Sequence, residues 1–234
     1  MNLDNLFQNF CKKNYLEINT YQLAIIDQLK SFYKLNFNKS IFNKFFSKNN
    51  PKPAFYLHGG VGVGKTMILN FFFDLVEEKK LRQHFNEFML SFHDFAHERK
   101  ENNEENVISQ FVKDLKSKTK LIYFDEFQVT NIVDAMILGK LFEQIFKEDI
   151  KIILTSNIKI SELYKEGLQR DQFKPFIKIM EMQSIECELK IEDDYRKSNE
   201  NKKQRYFFPL NQETNFKINK FFRTITKDKN HLSK

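Results

Sequence analysis

Residues 54–66 read Ala54-Phe-Tyr-Leu-His58 and then Gly59-Gly60-Val61-Gly62-Val63-Gly64-Lys65-Thr66, a short apolar run that opens onto a glycine-rich octet. The octet satisfies G-x-x-x-x-G-K-[ST], and it sits after a strand candidate and before an apolar helix candidate over about 66–79. Its glycines let the backbone curl so that successive N–H groups face inward, and the helix start adds its positive dipole end. Such a concavity holds phosphate. Lys65 is placed to reach β- and γ-phosphates, and Thr66 to set its hydroxyl on Mg²⁺.

Downstream of this cradle, Leu121-Ile-Tyr-Phe124 delivers Asp125 and Glu126 at its end. An apolar run bounded by polar residues predicts a strand buried on both faces, and ligands of open α/β sheets bind at the strands' carboxyl edge. Asp125 is the candidate magnesium holder with Thr66, and Glu126 the candidate general base for the attacking water. A third apolar run, 150–154, continues into Thr155-Ser-Asn157. An Asn or Thr there can hold the water or the γ-phosphate; Asn157 is favoured, a helix cap or turn being its ordinary alternative. Arg170 is a candidate arginine finger, acting in cis or across a subunit interface, set against an ordinary salt bridge with Asp171 or Glu166.

Around these motifs the pattern predicts a helical segment over 1–50 and strands at 54–58, 83–90, 121–124, 150–154 and 184–189. Helices are expected at 66–79, 91–100, 132–146 and 161–182, with an acidic loop over 101–106. The alternation calls for a three-layer P-loop α/β sandwich with a mostly parallel five-stranded sheet. The expected division is an N-terminal helical extension (1–50), an ATPase core (51–190), and a C-terminal loop and helix (191–234).

Composition bounds the function. The chain has 234 residues, a net charge of +7, and 31 acidic residues interspersed among 38 basic ones. That mixture favours a solvated lysine-rich surface over a nucleic-acid face. Only Arg82, Arg99, Arg170, Arg196, Arg205 and Arg223 are arginines, so lysine is the default cation here. Cys11 and Cys187 stand alone, which indicates neither a disulfide framework nor a zinc site and fits a cytoplasmic protein. No apolar run approaches the ~20 residues that span a bilayer. His93 and His97 lie four apart, as in a zinc-hydrolase helix, but no third ligand accompanies them. No Asn-Lys-x-Asp tetrapeptide reads a guanine, so ATP is the expected nucleotide.

Several segments together resemble the ZapE/Afg-like ATPases, a family within the AAA-type P-loop proteins. They are Tyr56 to Met67, His84-Phe-Asn-Glu-Phe-Met89, Phe124 to Thr130 with Asp134 to Gly139, Thr155-Ser-Asn157, and Leu163 to Arg170 with Phe173 and Pro175-Phe-Ile177. The resemblance implies Mg²⁺-dependent ATP hydrolysis by an enzyme acting on a protein partner, either of the bacterial cell-division type associated with the division ring protein FtsZ or of the mitochondrial type linked to membrane-protein quality control, and a possible homo-oligomer. It supports Asn157 as sensor and Arg170 as finger. Asn131 departs from the family's usual Asp, and Asn86 from a common His. Relatives continue beyond the position of Lys234, so the family's C-terminal lid is expected to be mostly absent. Two further functions stay in view: an ATP-binding adaptor that loads a helicase onto DNA, and a hydrolysis-deficient scaffold.

Overall fold

The computed structural model describes residues 3–37, 51–99 and 104–190, all within one unit of contacts spanning Met1–Lys190. Two helices come first, α1 (Leu3–Lys13) and α2 (Thr20–Phe37). The start of α2 is closed by a reciprocal pair: Gln22 N–H donates to Asn19 Oδ1 at 2.8 Å, and Asn19 N–H donates to Gln22 Oε1 at 3.3 Å. The alternating core follows as β1 (Ala54–His58), α3 (Lys65–Leu75), β2 (Lys80–His84), α4 (Phe85–Arg99), α5 (Glu104–Lys118) and β3 (Leu121–Asp125). After these come α6 (Ile132–Lys147), β4 (Lys151–Ser156), a 3₁₀ turn (Ile160–Glu162), α7 (Arg170–Gln183) and β5 (Ser184–Glu188). Expectations over 38–50, 100–103 and 191–234 fall outside the described residues.

The five strands lie in the order β2-β3-β4-β1-β5, and every described pairing is parallel. Alternate strand residues feed two separate cores. Phe55, Leu57, Tyr123 and Ile153 pack with residues of α1, α2 and α3, whereas Tyr56, Phe124, Ile152 and Leu154 pack with α4 to α7. The central strands are therefore buried on both faces, which is why β1, β3 and β4 read as near-continuous apolar runs. At roughly 1.5–3 kcal/mol per fully buried large apolar side chain, these two layers supply the main stabilisation of the sheet.

Four expectations need correction. The strand expected at 83–90 is instead the end of β2 followed by the first turn of α4. Phe85, Phe88, Met89 and Phe92 are buried at helical spacing, and the real strand, Lys-Leu-Arg-Gln-His, is a half-buried edge without an apolar run. The loop expected over 101–106 gives way to helix at Glu104, and α5 had no counterpart in the pattern reading. The helix expected over 66–79 stops at Leu75, because Val76 is already extended. The helix expected over 161–182 is broken, since Tyr164 and Gln169 take positive φ of 54° and 53°, and α7 starts only at Arg170.

Candidate functional site

The residues between β1 and α3 turn on three glycines with positive φ: Gly59 at 150°, Gly62 at 79° and Gly64 at 97°. A Cβ on Gly59 would lie 2.4 Å from the Leu189 carbonyl oxygen, so this position admits no side chain. Leu189 N–H in turn donates to the His58 carbonyl at 2.8 Å, pinning the loop's first residue against the end of β5. Gly64 caps α3 in the left-handed region, which an L side chain enters only at a cost. Gly60, Val61 and Gly62 are exposed, while Val63, Gly64 and Thr66 are half-buried.

Lys65 is the first residue of α3 and is only 8% exposed. Its ammonium donates to the Gly59 carbonyl at 2.9 Å, the Gly60 carbonyl at 2.7 Å and Asn157 Oδ1 at 3.0 Å. All three of its donors are thereby engaged. Burial lowers its pKa from the ordinary lysine value, with Asp125 and Glu126 pulling in the opposite direction. Asn157, just past the end of β4, thus meets the cradle through Lys65.

Asp125 ends β3 and is buried. Its Oδ1 accepts from Thr155 Oγ1 at 2.8 Å, Thr66 Oγ1 at 3.2 Å and Tyr123 OH at 3.3 Å, and its Oδ2 accepts from Arg82 Nη2 at 2.7 Å. Burial pushes the carboxyl up, but the bonds from Arg82 and Thr155, with the Arg82 charge and Thr66, outweigh it and hold the carboxyl below its usual range. Burial, reinforced by the Asp125 charge, drives the Tyr123 hydroxyl strongly upward, so it stays protonated.

Glu126 differs from its neighbour in every respect. It is exposed, takes φ of 55°, and its backbone N–H donates to Thr155 Oγ1 at 3.0 Å. A non-glycine residue held in that region stores of order 1–3 kcal/mol, a cost usually met at functional sites. The loop beyond it is tied to β4, with Phe127 N–H on the Thr155 carbonyl at 2.7 Å and Ser156 Oγ on the Phe127 carbonyl at 2.9 Å. Phe127 is 1% exposed and touches the rings of Tyr56, Phe85, Phe142 and Phe176.

The fold therefore brings together Lys65, Thr66, Asp125 and Asn157, with Glu126 beside Asp125. Arg170 is different: its Nη2 donates to the Ser161 carbonyl at 3.0 Å, and its buried Nε has no described partner. Arg82 was not singled out by pattern, and Thr155 was passed over in favour of Asn157. Thr155 links Asp125 to the Glu126 backbone, and Arg82 pairs with Asp125 from β2. The scarcity of arginine was the only sequence signal for Arg82. His93 is committed to Asp134, at 2.7 Å between α4 and α6, rather than to His97. No group of three or more His, Cys, Asp or Glu side chains suited to a metal occurs among the described residues. A magnesium ion carried with a nucleotide needs fewer protein ligands, and a buried carboxylate touching a threonine hydroxyl at the helix start fits it.

A family model described as AFG1-like ATPase matches residues 7–234. Among curated proteins, the chain is 34% identical over 190 residues to the cell division protein ZapE of Escherichia coli (strain K12), covering 80% of this chain and 50% of that protein. It is 42% identical over 144 residues to lactation elevated protein 1 homolog B of Danio rerio, covering 57% of this chain and 29% of the relative. The chain thus spans half or less of these relatives' length. Among solved structures, the DnaC helicase loader superposes with a TM-score of 0.51 at 13% identity, covering 76% of this chain and 94% of that one. Domain III of the Thermotoga maritima replication initiation protein DnaA gives 0.51 at 16% identity, covering 79% and 69%. At such identities the likeness concerns the fold.

Proposed function

This chain belongs to the AFG1-like ATPase family, and from that premise we propose that it hydrolyses ATP to ADP and phosphate in a magnesium-dependent reaction directed at a protein partner. One observation carries the reading: the Thr66 hydroxyl at the start of α3 and the Asp125 carboxylate at the end of β3 lie 3.2 Å apart, Thr66 directly following Lys65 in the chain. A glycine loop alone could be a tight turn; a loop whose threonine meets a buried strand-end acid is a phosphate and metal site.

In this mechanism the amides of residues 59–66 cradle the phosphates, and Lys65 exchanges its carbonyl partners for β- and γ-phosphate oxygens. Thr66 and Asp125 would hold Mg²⁺, which supplies charge neutralisation on the phosphates when bound. Glu126, exposed at the strand end, accepts the proton of the attacking water. Asn157, already hydrogen-bonded to Lys65, orients that water or the γ-phosphate. Arg170 serves as a finger on the nucleotide of a neighbouring copy, a role supported by the family resemblance.

The relative's name, cell division protein ZapE, supports a client at the division apparatus, FtsZ being the one the resemblance implies. A cytoplasmic location accords with that client. No helix among the described residues is long and apolar enough to cross a membrane. The deciding experiment is steady-state ATP turnover of the chain beside a Lys65→Ala control, with FtsZ or single-stranded DNA added in separate arms. Turnover lost in Lys65→Ala and altered by FtsZ supports the proposal; turnover equal in both proteins refutes it, and salt-sensitive stimulation by DNA alone would make the chain a loader.

A further inference from the structure

Arg82 has no part in the mechanism above, yet it makes the shortest contact to the carboxylate on which that mechanism depends. It lies on β2 beside Tyr123 of β3, its guanidinium carbon 5.0 Å from the Tyr123 ring centroid and its Nη2 2.7 Å from Asp125 Oδ2. Two explanations compete: Arg82 orients Asp125, or it balances the charge of Asp125. Orientation is already provided. Oδ1 accepts from three hydroxyls carried by three different elements, Thr155 on β4, Thr66 on α3 and Tyr123 on β3 itself. A carboxylate fixed at one oxygen by three donors does not need a fourth to face Thr66. What Arg82 adds is a positive charge.

That charge reaches Asp125 from the side away from the glycine loop. In the order β2-β3-β4-β1-β5, β2 is on the far side of β3 from the β1 cradle. In the proposed mechanism Lys65 would be neutralised by the phosphates, whereas the described partners of Arg82 are Asp125 and the Tyr123 ring. A divalent cation approaching Asp125 therefore meets a guanidinium that repels it and already occupies one carboxylate oxygen. The Arg82 side chain is also 42% exposed, so it can retreat into water when a stronger cation takes its place.

We propose that Arg82 is a competing counter-cation on the metal-holding carboxylate, so that Asp125 takes a divalent cation weakly alone and firmly only when the cation arrives with phosphates. The inference rests on the reading that Thr66 and Asp125 hold the metal. It gives the site a reason to load magnesium and nucleotide together and to release both after hydrolysis.

The probe is Mn²⁺, its free concentration read by electron paramagnetic resonance against the full chain, with no turnover required. Without nucleotide, Arg82→Gln is expected to bind Mn²⁺ about tenfold more tightly than wild type, the scale of one charge-assisted contact removed. With ATP present the difference narrows. Equal or weaker Mn²⁺ binding by folded Arg82→Gln overturns the proposal. Should that variant not fold, Arg82→Met decides, because it too removes the charge while keeping an aliphatic stem: tighter Mn²⁺ binding supports the counter-cation, and equal or weaker binding overturns it. Asp125→Asn separates the premise from the inference. If it leaves Mn²⁺·ATP binding at the wild-type level, the metal assignment itself has failed, whatever Arg82 does.

Discussion

Lys65 and Glu126 illustrate how unlike two charged residues of one site can be. The lysine is buried, and its proton is held less firmly than usual because burial disfavours the charge. In the proposed mechanism triphosphate oxygens would restore the lost stabilisation, so removal of the ammonium should be felt in binding as well as in turnover. Lys65→Ala is expected to weaken ATP binding and to lower the hydrolysis rate by about 100-fold or more, as measured by nucleotide titration and phosphate release. The glutamate is exposed and strained, and nothing in its setting makes it necessary for folding. Glu126→Gln should therefore keep ATP binding and thermal stability while turnover falls by roughly 10²–10⁴. Wild-type turnover in that variant would move the base elsewhere.

The elements hold these residues through crowding as well as through hydrogen bonds. Gly59 lies against the backbone end of β5, where even one added carbon meets the Leu189 oxygen. Gly59→Ala should shift the loop, cost on the order of 1–3 kcal/mol in urea unfolding, and weaken nucleotide binding together with stability. On the other side of the site, Phe127 anchors the segment after β3 among four rings from β1, α4, α6 and α7. Phe127→Ala is expected to cost about 3–5 kcal/mol and to loosen the Asp125–Glu126 turn; an unfolding midpoint close to wild type would deny it that anchoring role. Element boundaries were least legible where burial is one-sided. β2 carries Lys80, Arg82 and His84 on a half-buried edge, and its aromatic followers, spaced for a helix, imitate a strand when taken alone.

For the molecule as a whole, Asp125 at the sheet edge makes stability depend on pH. Asp125 is held below its ordinary value of 3.8, so between the folded and unfolded pKa values the unfolded chain binds the extra proton and stability rises with pH. The contribution is complete above about pH 4 and is lost as pH falls through the depressed folded value. Urea midpoints measured downward from neutral pH should fall for wild type in that acid window, while Asp125→Asn, already destabilised by leaving Arg82 unpaired, should show less of this step. Equal slopes for the two proteins would mean that Asp125 is not a stabilising carboxylate.

By itself, the sequence determined the cradle, the strand that precedes it, the acidic end of β3 and the parallel α/β class. Each is written in a local pattern: glycine spacing sets backbone freedom, and unbroken apolar runs mark strands covered on both faces. Tertiary structure alone decided that α4 begins where a strand was expected, that Asn157 meets Lys65, and that Arg82 and Thr155 complete the surroundings of Asp125. Those relations depend on strand order and register, which pair residues far apart in the chain. No local pattern records which strand becomes whose neighbour.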